Sequence, residues 1–302
     1  MELRHLRYFV AVAEERHVTR AAERLGMQQP PLSQQIRALE AELGVQLLRR
    51  RPRGVEPTEA GLAFLGEAQA ILARLAAATA AARRIAAGEQ GRLAIGVPPT
   101  APFHPFVPGV IRTFREAWPL VTLTLEECLR AELVERLQDG RLDIAFFRAD
   151  VALPEGLVLH RLLEEPMVAA LPADHPLAAE AGPALRLTAL AGETFIAYAR
   201  QQGPALFEAM LAGCLAAGFS PRLGQEAPRV TSALSLVAAG LGVTLVPAST
   251  RRAALEGLAY RPLAGEAVPR AVLAIVARRD SGSAAARNFL ALVRREARNA
   301  RD

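Results

Sequence analysis

Apolar and polar positions over the first 45 residues follow the spacing of short helices. The first stretch carries apolar residues every three or four positions: Leu3, Leu6, Phe9, Val10 and Ala13. This spacing predicts an amphipathic helix. A shorter helical stretch, Thr19 to Leu25, follows it and can end at Gly26, because glycine adopts the left-handed conformation without steric cost.

Two consecutive prolines precede the apolar stripe of a third helix, whose members are Leu32, Ile36, Leu39 and Leu43. Proline is tolerated in the first helical turn, where the backbone donors are unpaired, so Pro30 and Pro31 mark a helix start. Because Gln29 precedes a proline, we expect its backbone to be extended rather than helical. The side opposite the stripe is polar and free of acids: Ser33, Gln34 and Arg37. Two helices therefore meet at a tight turn.

A hairpin and a long helix are predicted next. The stretch VQLLRRRPRGVEPT, residues 45–58, places an arginine-rich turn between two short extended runs. Residues Thr58 to Ala87 contain no proline and are rich in alanine and leucine, which favours a helix. Its approximate heptad stripe is Leu65, Ala68, Leu72, Leu75, Thr79 and Ala82. This stripe indicates a helix that pairs two chains, although a helix packed within one chain is the alternative; GEQGR, residues 88–92, is a hinge.

Beyond the hinge, short apolar runs alternate with helical stretches. The runs are 92–97, 121–127 and 142–147, with helices around 106–115 and 131–139 between them. The order is repeated by runs at 166–172, 194–199, 243–249 and 271–277, and by helices at 204–217, 232–240 and 284–297. This order predicts an α/β domain with parallel strands and right-handed crossovers.

The composition narrows the classes of protein. A chain of 302 residues, 51% of them hydrophobic, is long enough for one large or two to three ordinary domains. No apolar run reaches the roughly 18 residues of a membrane span, and the run Tyr8 to Ala13 is shorter than a signal-peptide core. We therefore expect a cytoplasmic protein with no membrane partner. The net charge is +5 and all 36 basic residues are arginine, which makes an anionic partner plausible.

The two cysteines indicate neither a metal site nor a disulfide. Cys128 and Cys214 lack CxxC spacing and a neighbouring histidine, so buried thiols are expected, with no metal and no cofactor. A redox role for Cys128 is the alternative, but Cys214 belongs to a different part of the predicted domain.

These motifs resemble the LysR-type transcriptional regulators over essentially the whole chain. The specific part is AAERLGMQQPPLSQQIRALEAELGVQLLRR, residues 21–50, followed by VEPTEAG. Further along, GRLDIAF, ADHPL and LVAAGLGVTLVPAS are similar to the family's effector domain. The opening MELRHLRYFVAVAEE together with QPPLS is most similar to the branch that governs benzoate, catechol and chlorocatechol catabolism.

The resemblance implies an architecture and a set of partners. It implies an N-terminal winged helix-turn-helix at 1–58, a dimerisation linker helix and hinge at 59–90, and a two-lobed periplasmic-binding-protein-like (type 2) effector domain at 91–302. Lobe one would comprise 92–162 and 267–302, and lobe two 163–266. The implied partners are double-stranded DNA, a small-molecule effector and further copies of the chain, as a homodimer that assembles to a homotetramer. RNA polymerase is a candidate further partner.

The family motif also assigns the DNA contacts. The groove-facing set would be Gln29, Pro30, Pro31, Ser33, Gln34 and Arg37, with Arg53 of the wing aimed at the minor groove. Glutamine pairs with adenine, whereas Ser33 reaches a phosphate or a base edge. The family often has arginine at the position of Gln34, which leaves the base preference open. The arginine run 49–51 is either a set of phosphate contacts or a solvated charged run.

Two other functions are weighed against a regulator. An enzyme is disfavoured because the chain has no GxSxG elbow, no P-loop, no GxGxxG after a strand, and no histidine placed to activate a nucleophile. No residue is therefore assigned as catalytic. A transport receptor would match the C-terminal part alone, but not the DNA-binding head.

The effector site is expected at the carboxyl ends of the strands, where such sheets bind ligands. Matching positions in the family assign Thr100, Arg130 and Arg148 from lobe one, and Gln202, Pro204 and Phe207 from lobe two. The catabolic branch usually carries small hydroxyl residues at both the Thr100 and the Arg130 positions, so Arg130 departs from the pattern and argues against assuming muconate. We expect a small carboxylate, either an aromatic acid or a ring-cleavage dicarboxylate. The alternative is a LysR-type regulator that responds to a different signal, such as an amino acid, another metabolite or an oxidant. A surface ion pair is the alternative for each arginine.

Overall fold

The chain folds into two compact units, Met1–Arg84 and Ile85–Asp302, in a computed structural model. The structure describes residues 1–52, 54–148, 152–179, 181–198, 204–266, 268–280 and 283–301. Each unit has a hydrophobic core of its own.

The first unit contains the three predicted short helices and the hairpin. The helices are α1 (Leu3–Glu15), α2 (Val18–Arg24) and α3 (Gln29–Leu43). Strands β1 (Leu48–Arg51) and β2 (Gly54–Pro57) pair antiparallel, and α4 (Glu59–Ala87) follows. The stripe predicted for α3 is largely buried, with Leu32 and Leu39 fully enclosed, and packs against Phe9 of α1 in one cluster.

One glycine fixes the entry of α4 against the hairpin. A Cβ atom at Gly61 would lie 1.9 Å from the backbone carbonyl oxygen of Leu47, a distance that no side chain allows. Thr58, just before the helix, donates its hydroxyl to the Gln46 carbonyl, and its oxygen accepts the amide of Gly61 at 2.9 Å. This close contact therefore requires glycine at the first turn of α4.

Helix α4 is apolar and mostly exposed. By length and composition alone, α4 is long and apolar enough to cross a membrane. A core helix of a soluble protein can meet the same criteria, but few residues of α4 are buried. The first part of the predicted stripe, Leu65, Ala68 and Leu72, packs against the core of its own head. A second heptad stripe stays free of that core: Ile71, Leu75, Ala78, Ala82 and Ile85. The apolar surface available for pairing therefore lies in the C-terminal half of the helix.

The second unit is built on one long mixed sheet and a small parallel pair. Its strands are β3 (Gln90–Val97), β4 (Leu120–Glu127), β5 (Ile144–Phe147), β6 (Leu157–Pro172), β7 (Leu185–Arg186), β8 (Thr194–Tyr198), β9 (Arg222–Ala227), β10 (Thr244–Pro247), β11 (Leu258–Ala264) and β12 (Arg270–Arg278). The long sheet has the order β4-β3-β5-β12-β6-β11-β7, with β10 also paired to β6, and β8 pairs with β9. Its helices are α5 (Phe106–Ala117), α6 (Arg130–Gln138), α7 (Pro204–Ala216), α8 (Val230–Ala238) and α9 (Ala284–Asn299).

Strand β6 belongs to both halves of the second unit. Its first part pairs with β12, and its last part, from Met167, pairs with β10 and β11. Leu162 packs in the core that holds α5 and α9, whereas Met167 packs in the core that holds α7 and α8. One continuous strand thus forms a connection between two lobes, and the chain crosses again between β11 and β12.

The sheet differs from the sequence-based prediction in two ways. Strands β3, β4 and β5 are parallel as predicted, but β12 runs antiparallel to both β5 and β6, and β10 and β11 run antiparallel to β6. Strands β7, β9 and β11 and the first half of β6 were not predicted. Their residues are largely exposed or half-buried, so they lack the long uninterrupted apolar runs from which buried strands are recognised.

Candidate DNA interface and effector crevice

The start of α3 presents an exposed polar face. Gln29, Gln34 and Arg37 are exposed and Ser33 is half-buried, because the apolar stripe on the other side of the helix is enclosed in the core. The Gln29 amide nitrogen donates to the Ser33 hydroxyl oxygen at 2.8 Å. The structure therefore brings these predicted residues together on one surface.

The prediction of an extended Gln29 is wrong. Gln29 is the first residue of α3, and Gln28 before it is extended, with φ −81° and ψ 151°. The two prolines follow inside the first turn and are exposed. The extended conformation that a helix N-cap requires is supplied by Gln28. Gln29 therefore adopts the helical conformation although it precedes a proline, which disfavours that conformation.

The wing carries a cluster of arginines around one carboxylate. Glu56 faces Arg49 across the hairpin, and its Oε1 accepts from the Arg51 Nη2 at 2.6 Å and from the Arg49 Nε. The Arg51 hydrogen bond lowers the pKa of the Glu56 carboxyl, and Glu56 raises the pKa of the Arg51 guanidinium. Arg53, the predicted minor-groove contact, lies outside the described residues.

The candidate effector crevice is the edge of the sheet where the parallel strands of the second unit end. Thr100 follows β3, Arg130 follows β4 and begins α6, and Arg148 follows β5. Since the three strands are parallel neighbours, these positions share one edge of the sheet. Ligands of parallel sheets bind beyond the carboxyl ends of the strands, and the effector site was predicted at this edge for that reason.

Arg148 lies in a buried network that joins the two lobes. Its Nη1 donates to the Glu165 Oε1 at 2.6 Å, and its Nη2 donates to the Thr100 carbonyl at 2.9 Å and to the Ser249 hydroxyl oxygen at 3.3 Å. Ser249 in turn donates its amide and its hydroxyl to Glu165, at 2.6 and 2.8 Å. The Arg148 and Glu165 side chains are only 6% and 9% exposed, so this is an ion pair enclosed by protein.

The network changes the role expected of Arg148. Burial lowers the pKa of its guanidinium, whereas the charge and hydrogen bond of Glu165 raise it. The surface ion pair considered from the sequence is instead a buried one, and Glu165 balances the fixed positive charge that was expected to face the effector. The Arg148 Nε and the Thr250 Oγ1 are buried without a hydrogen-bond partner among the described residues. These two groups beside the ion pair are therefore available to hydrogen-bond a ligand.

Arg130 keeps an uncommitted charge at the crevice. Its side chain is half-buried and has no hydrogen bond or ion pair with the residues that the structure describes. Across the crevice, Arg229 from lobe two reaches Glu127 of lobe one at 3.3 Å, with both side chains about half exposed. His104, beside the buried network, has its pKa lowered by burial and by Arg148 and Arg252, against an opposing effect of Glu165.

Of the three lobe-two residues assigned from the sequence, Phe207 does not face the crevice. Phe207 is buried and belongs to the hydrophobic core of its own lobe, because α7 turns this face toward the sheet. Pro204 begins α7, and Gln202 lies outside the described residues. Glu165 and Ser249 were missed, although an acidic pair inside the apolar stretch LLEEPMVAALP, residues 162–172, was a visible signal.

Both cysteines are buried thiols, as predicted. Cys128 and Cys214 are free and enclosed in the cores of different lobes. Burial raises the pKa of both thiols, that of Cys214 to about 11, which disfavours the reactive thiolate. Within the described ranges, no group of histidine, cysteine and acidic side chains could hold a metal ion.

Comparisons with known proteins identify both units. The family described as "Bacterial regulatory helix-turn-helix protein, lysR family" matches residues 3–62, and "LysR substrate binding domain" matches residues 86–298. The chain is 41% identical to the HTH-type transcriptional regulator BudR of Raoultella terrigena over 290 residues, covering 96% of this chain and 99% of BudR. It is 42% identical to the HTH-type transcriptional regulator CatR of Pseudomonas putida over 254 residues, covering 83% of this chain and 84% of CatR.

A solved structure agrees over the whole length. Full-length CbnR, in a crystal structure with its target DNA, has a TM-score of 0.85 at 30% identity and covers 98% of this chain and 100% of CbnR. The matches confirm the predicted fold class, and CatR and CbnR are consistent with the predicted catabolic branch. These relatives are regulators of transcription rather than enzymes, with DNA and a small-molecule effector as their two classes of partner. The chain belongs to the LysR family of bacterial helix-turn-helix transcriptional regulators.

Proposed function

We propose that the chain reads its operator in the cytoplasm with the start of α3 and the wing, and that a small carboxylate bound between the lobes controls this binding. The observation that carries the proposal is the division of α3 into an enclosed apolar stripe and an exposed polar face. A helix with such a face is suited to the major groove. The residues proposed to contact DNA are Gln29, Pro30, Pro31, Ser33, Gln34, Arg37 and Arg53.

Direct base contact is proposed for Gln29 and Ser33. Their hydrogen bond holds the glutamine amide over the first turn of α3, where it can meet adenine with a donor and an acceptor together. Arg37 lies two turns further on the same side and supplies a charge to phosphate. The two exposed prolines set the angle at which the chain enters the helix and leave no amide donor at their positions.

Binding to selected duplexes tests this interface. The probe is the duplex that the wild-type protein enriches from a random pool, with a random duplex of equal length beside it. Gln29→Ala with Ser33→Ala is expected to lose about 1 to 3 kcal/mol at the cognate base pair and to relax base preference. Gln35→Ala, on the other flank of the buried stripe, is the matched control. Equal affinity of the wild type and the double variant for every duplex would refute the assignment.

The carboxylate proposal follows from the charges at the crevice. Arg130 has no partner among the described residues, whereas Arg148 is balanced by Glu165. Arg130 is therefore the guanidinium that gains most from a ligand carboxylate, since charge-assisted hydrogen bonds are strong and an uncommitted cation gives up no existing partner. Thr100 and the orphaned Arg148 Nε provide further polar groups on the same edge of the sheet.

Calorimetry with benzoate, muconate and the neutral benzamide tests the effector class. We expect the carboxylates to bind more tightly than benzamide, and Arg130→Met to weaken them roughly 10- to 100-fold, the effect of losing a hydrogen bond to a charged group. The control is Arg115→Met, an exposed arginine on α5. Binding of benzamide as tight as that of benzoate, unchanged in Arg130→Met, would overturn the carboxylate assignment.

We infer that two chains pair through the C-terminal half of α4 and that such dimers assemble further into tetramers. The stripe Ile71, Leu75, Ala78, Ala82 and Ile85 has the four-and-three spacing of a heptad. Alanines in its centre allow close approach of a second helix. Exposing this surface in a single chain is unfavourable, which supports pairing with an identical stripe.

A further inference from the structure

The wing presents two arginines of β1 on the same side as one glutamate of β2. Side chains alternate along a strand, so Arg49 and Arg51 share a face of β1, and the register places Glu56 directly opposite Arg49. The neighbouring residue Leu48 points the other way and is buried in the head. The arginine pair and its carboxylate therefore lie on the outer face of the hairpin.

One carboxylate oxygen holds both guanidinium groups. Glu56 Oε1 accepts one N–H from each arginine, 2.6 Å from the Arg51 Nη2. A guanidinium has five N–H donors, so most donors of both arginines remain available, and their side chains are 57% and 53% exposed. Glu56 thus orients both arginines and leaves most of their N–H donors free to bind phosphate.

Resting on the DNA interface proposed above, we propose that Glu56 is one of its positioning residues, which aligns Arg49 and Arg51 for adjacent backbone phosphates and also limits how strongly they bind any duplex. Each arginine must share its charge between Glu56 and phosphate. The limit acts on every sequence, because phosphate contacts carry no base information. The alignment acts mainly on the operator, where the rest of the head fixes the register of the wing.

Charge and position are separated by two substitutions. Glu56→Gln removes the charge and frees about one unit of positive charge for phosphate. For random duplex, the slope of log affinity against log salt should steepen by about 0.9, which corresponds to an affinity roughly five- to tenfold higher near 0.1 M salt. Glu56→Asp keeps the charge but is one methylene shorter, so one oxygen no longer reaches both arginines. The salt slope should then stay that of the wild type, while the preference for the selected duplex over random duplex falls severalfold.

Fluorescence anisotropy of the full chain with both duplexes, over a salt series, measures both quantities. Glu59→Gln is the matched control: it removes one exposed carboxylate three residues away, which has no ion pair with the described residues. A slope for Glu56→Gln equal to that of Glu59→Gln would overturn the charge limit. A wild-type preference ratio in Glu56→Asp would overturn the positioning role. Wild-type affinity of Gln29→Ala with Ser33→Ala for every duplex, while the Glu56 effects persist, would contradict the α3 assignment alone.

Discussion

Removing one partner of the Arg148–Glu165 pair is expected to destabilise the effector domain strongly. Both side chains are enclosed, and breaking a buried pair leaves an uncompensated charge at a cost of about 3 to 5 kcal/mol. Arg148→Met leaves Glu165 with the Ser249 donors only, and Glu165→Gln leaves Arg148 without a counter-charge. For a domain of this size, 1 kcal/mol shifts the melting temperature by about 2 to 4 °C, so each single variant should melt roughly 6 to 20 °C lower.

A double variant measures the interaction energy between Arg148 and Glu165. Arg148→Met with Glu165→Gln contains no buried charge, so its loss of stability should be smaller than the sum of the two single losses. Coupling energies of contacting residues are about 0.5 to 3 kcal/mol, and an enclosed pair belongs at the upper end of that range. The double variant should therefore melt close to the less stable single variant, or above it.

Fluorescence of Trp118 provides a local assay. It is the sole tryptophan of the chain, and it packs against Phe114 in the core of lobe one, with ring centroids 4.6 Å apart. Its thermal or urea transition therefore follows the effector domain and not the DNA-binding head. This matters because a two-unit chain need not unfold in one step.

The exposed pair Arg229–Glu127 is the matched control. It also joins the lobes, but both side chains are about half exposed, so Arg229→Met should change stability by no more than about 1 kcal/mol. Equal destabilisation by Arg148→Met and Arg229→Met would refute the reasoning. So would strict additivity of the two buried substitutions, since it would mean that the partners do not stabilise each other.

Two further predictions concern α4. Gly61→Ala forces a Cβ into a backbone carbonyl, so it should lower the free energy of unfolding by roughly 1 to 3 kcal/mol and abolish duplex binding. In Gly66→Ala the new Cβ meets no atom within 4 Å, so this variant should be more stable by roughly 1 kcal/mol in thermal unfolding. Ile71→Glu with Ile85→Glu should yield monomers in sedimentation velocity because it places charges in the proposed pairing stripe. The control Leu62→Glu lies outside the stripe and should leave the assembly unchanged. A persistent dimer in the double variant would place the interface elsewhere.

Local patterns were sufficient to predict the head. Its three short helices are amphipathic, and three of their boundaries coincide with residues of special backbone chemistry: Gly26 after α2, the proline pair at the start of α3 and Gly44 at its end. These signals depend on near neighbours in sequence. The wrong inference in the head assigned to Gln29 the extended backbone that the N-cap residue Gln28 adopts instead.

The effector domain was less predictable because its decisive contacts join distant residues. Glu165 and Ser249 are 84 positions apart and Arg148 and Ser249 are 101 apart, so no local spacing could have paired them. The strand β6 was recognised only where it is buried on both sides. Its first half has the mixed burial of a strand that is partly exposed, and its apolar residues are interrupted by His160 and Arg161.

The buried pair also decides how an anionic effector can act. A carboxylate that bound Arg148 would compete with Glu165 for it, and would weaken the hydrogen bonds from Arg148 to Glu165 and Ser249 that join the two lobes. A carboxylate that bound Arg130 would leave the junction intact and would act between α6 and the facing lobe. A ligand shifts an equilibrium only by its difference in affinity for the two states. Because Arg130 gives up no interaction with the described residues when it binds a ligand, affinity should depend chiefly on Arg130, whereas Arg148 and Glu165 should set the relative stability of the lobe arrangements between which the effector selects.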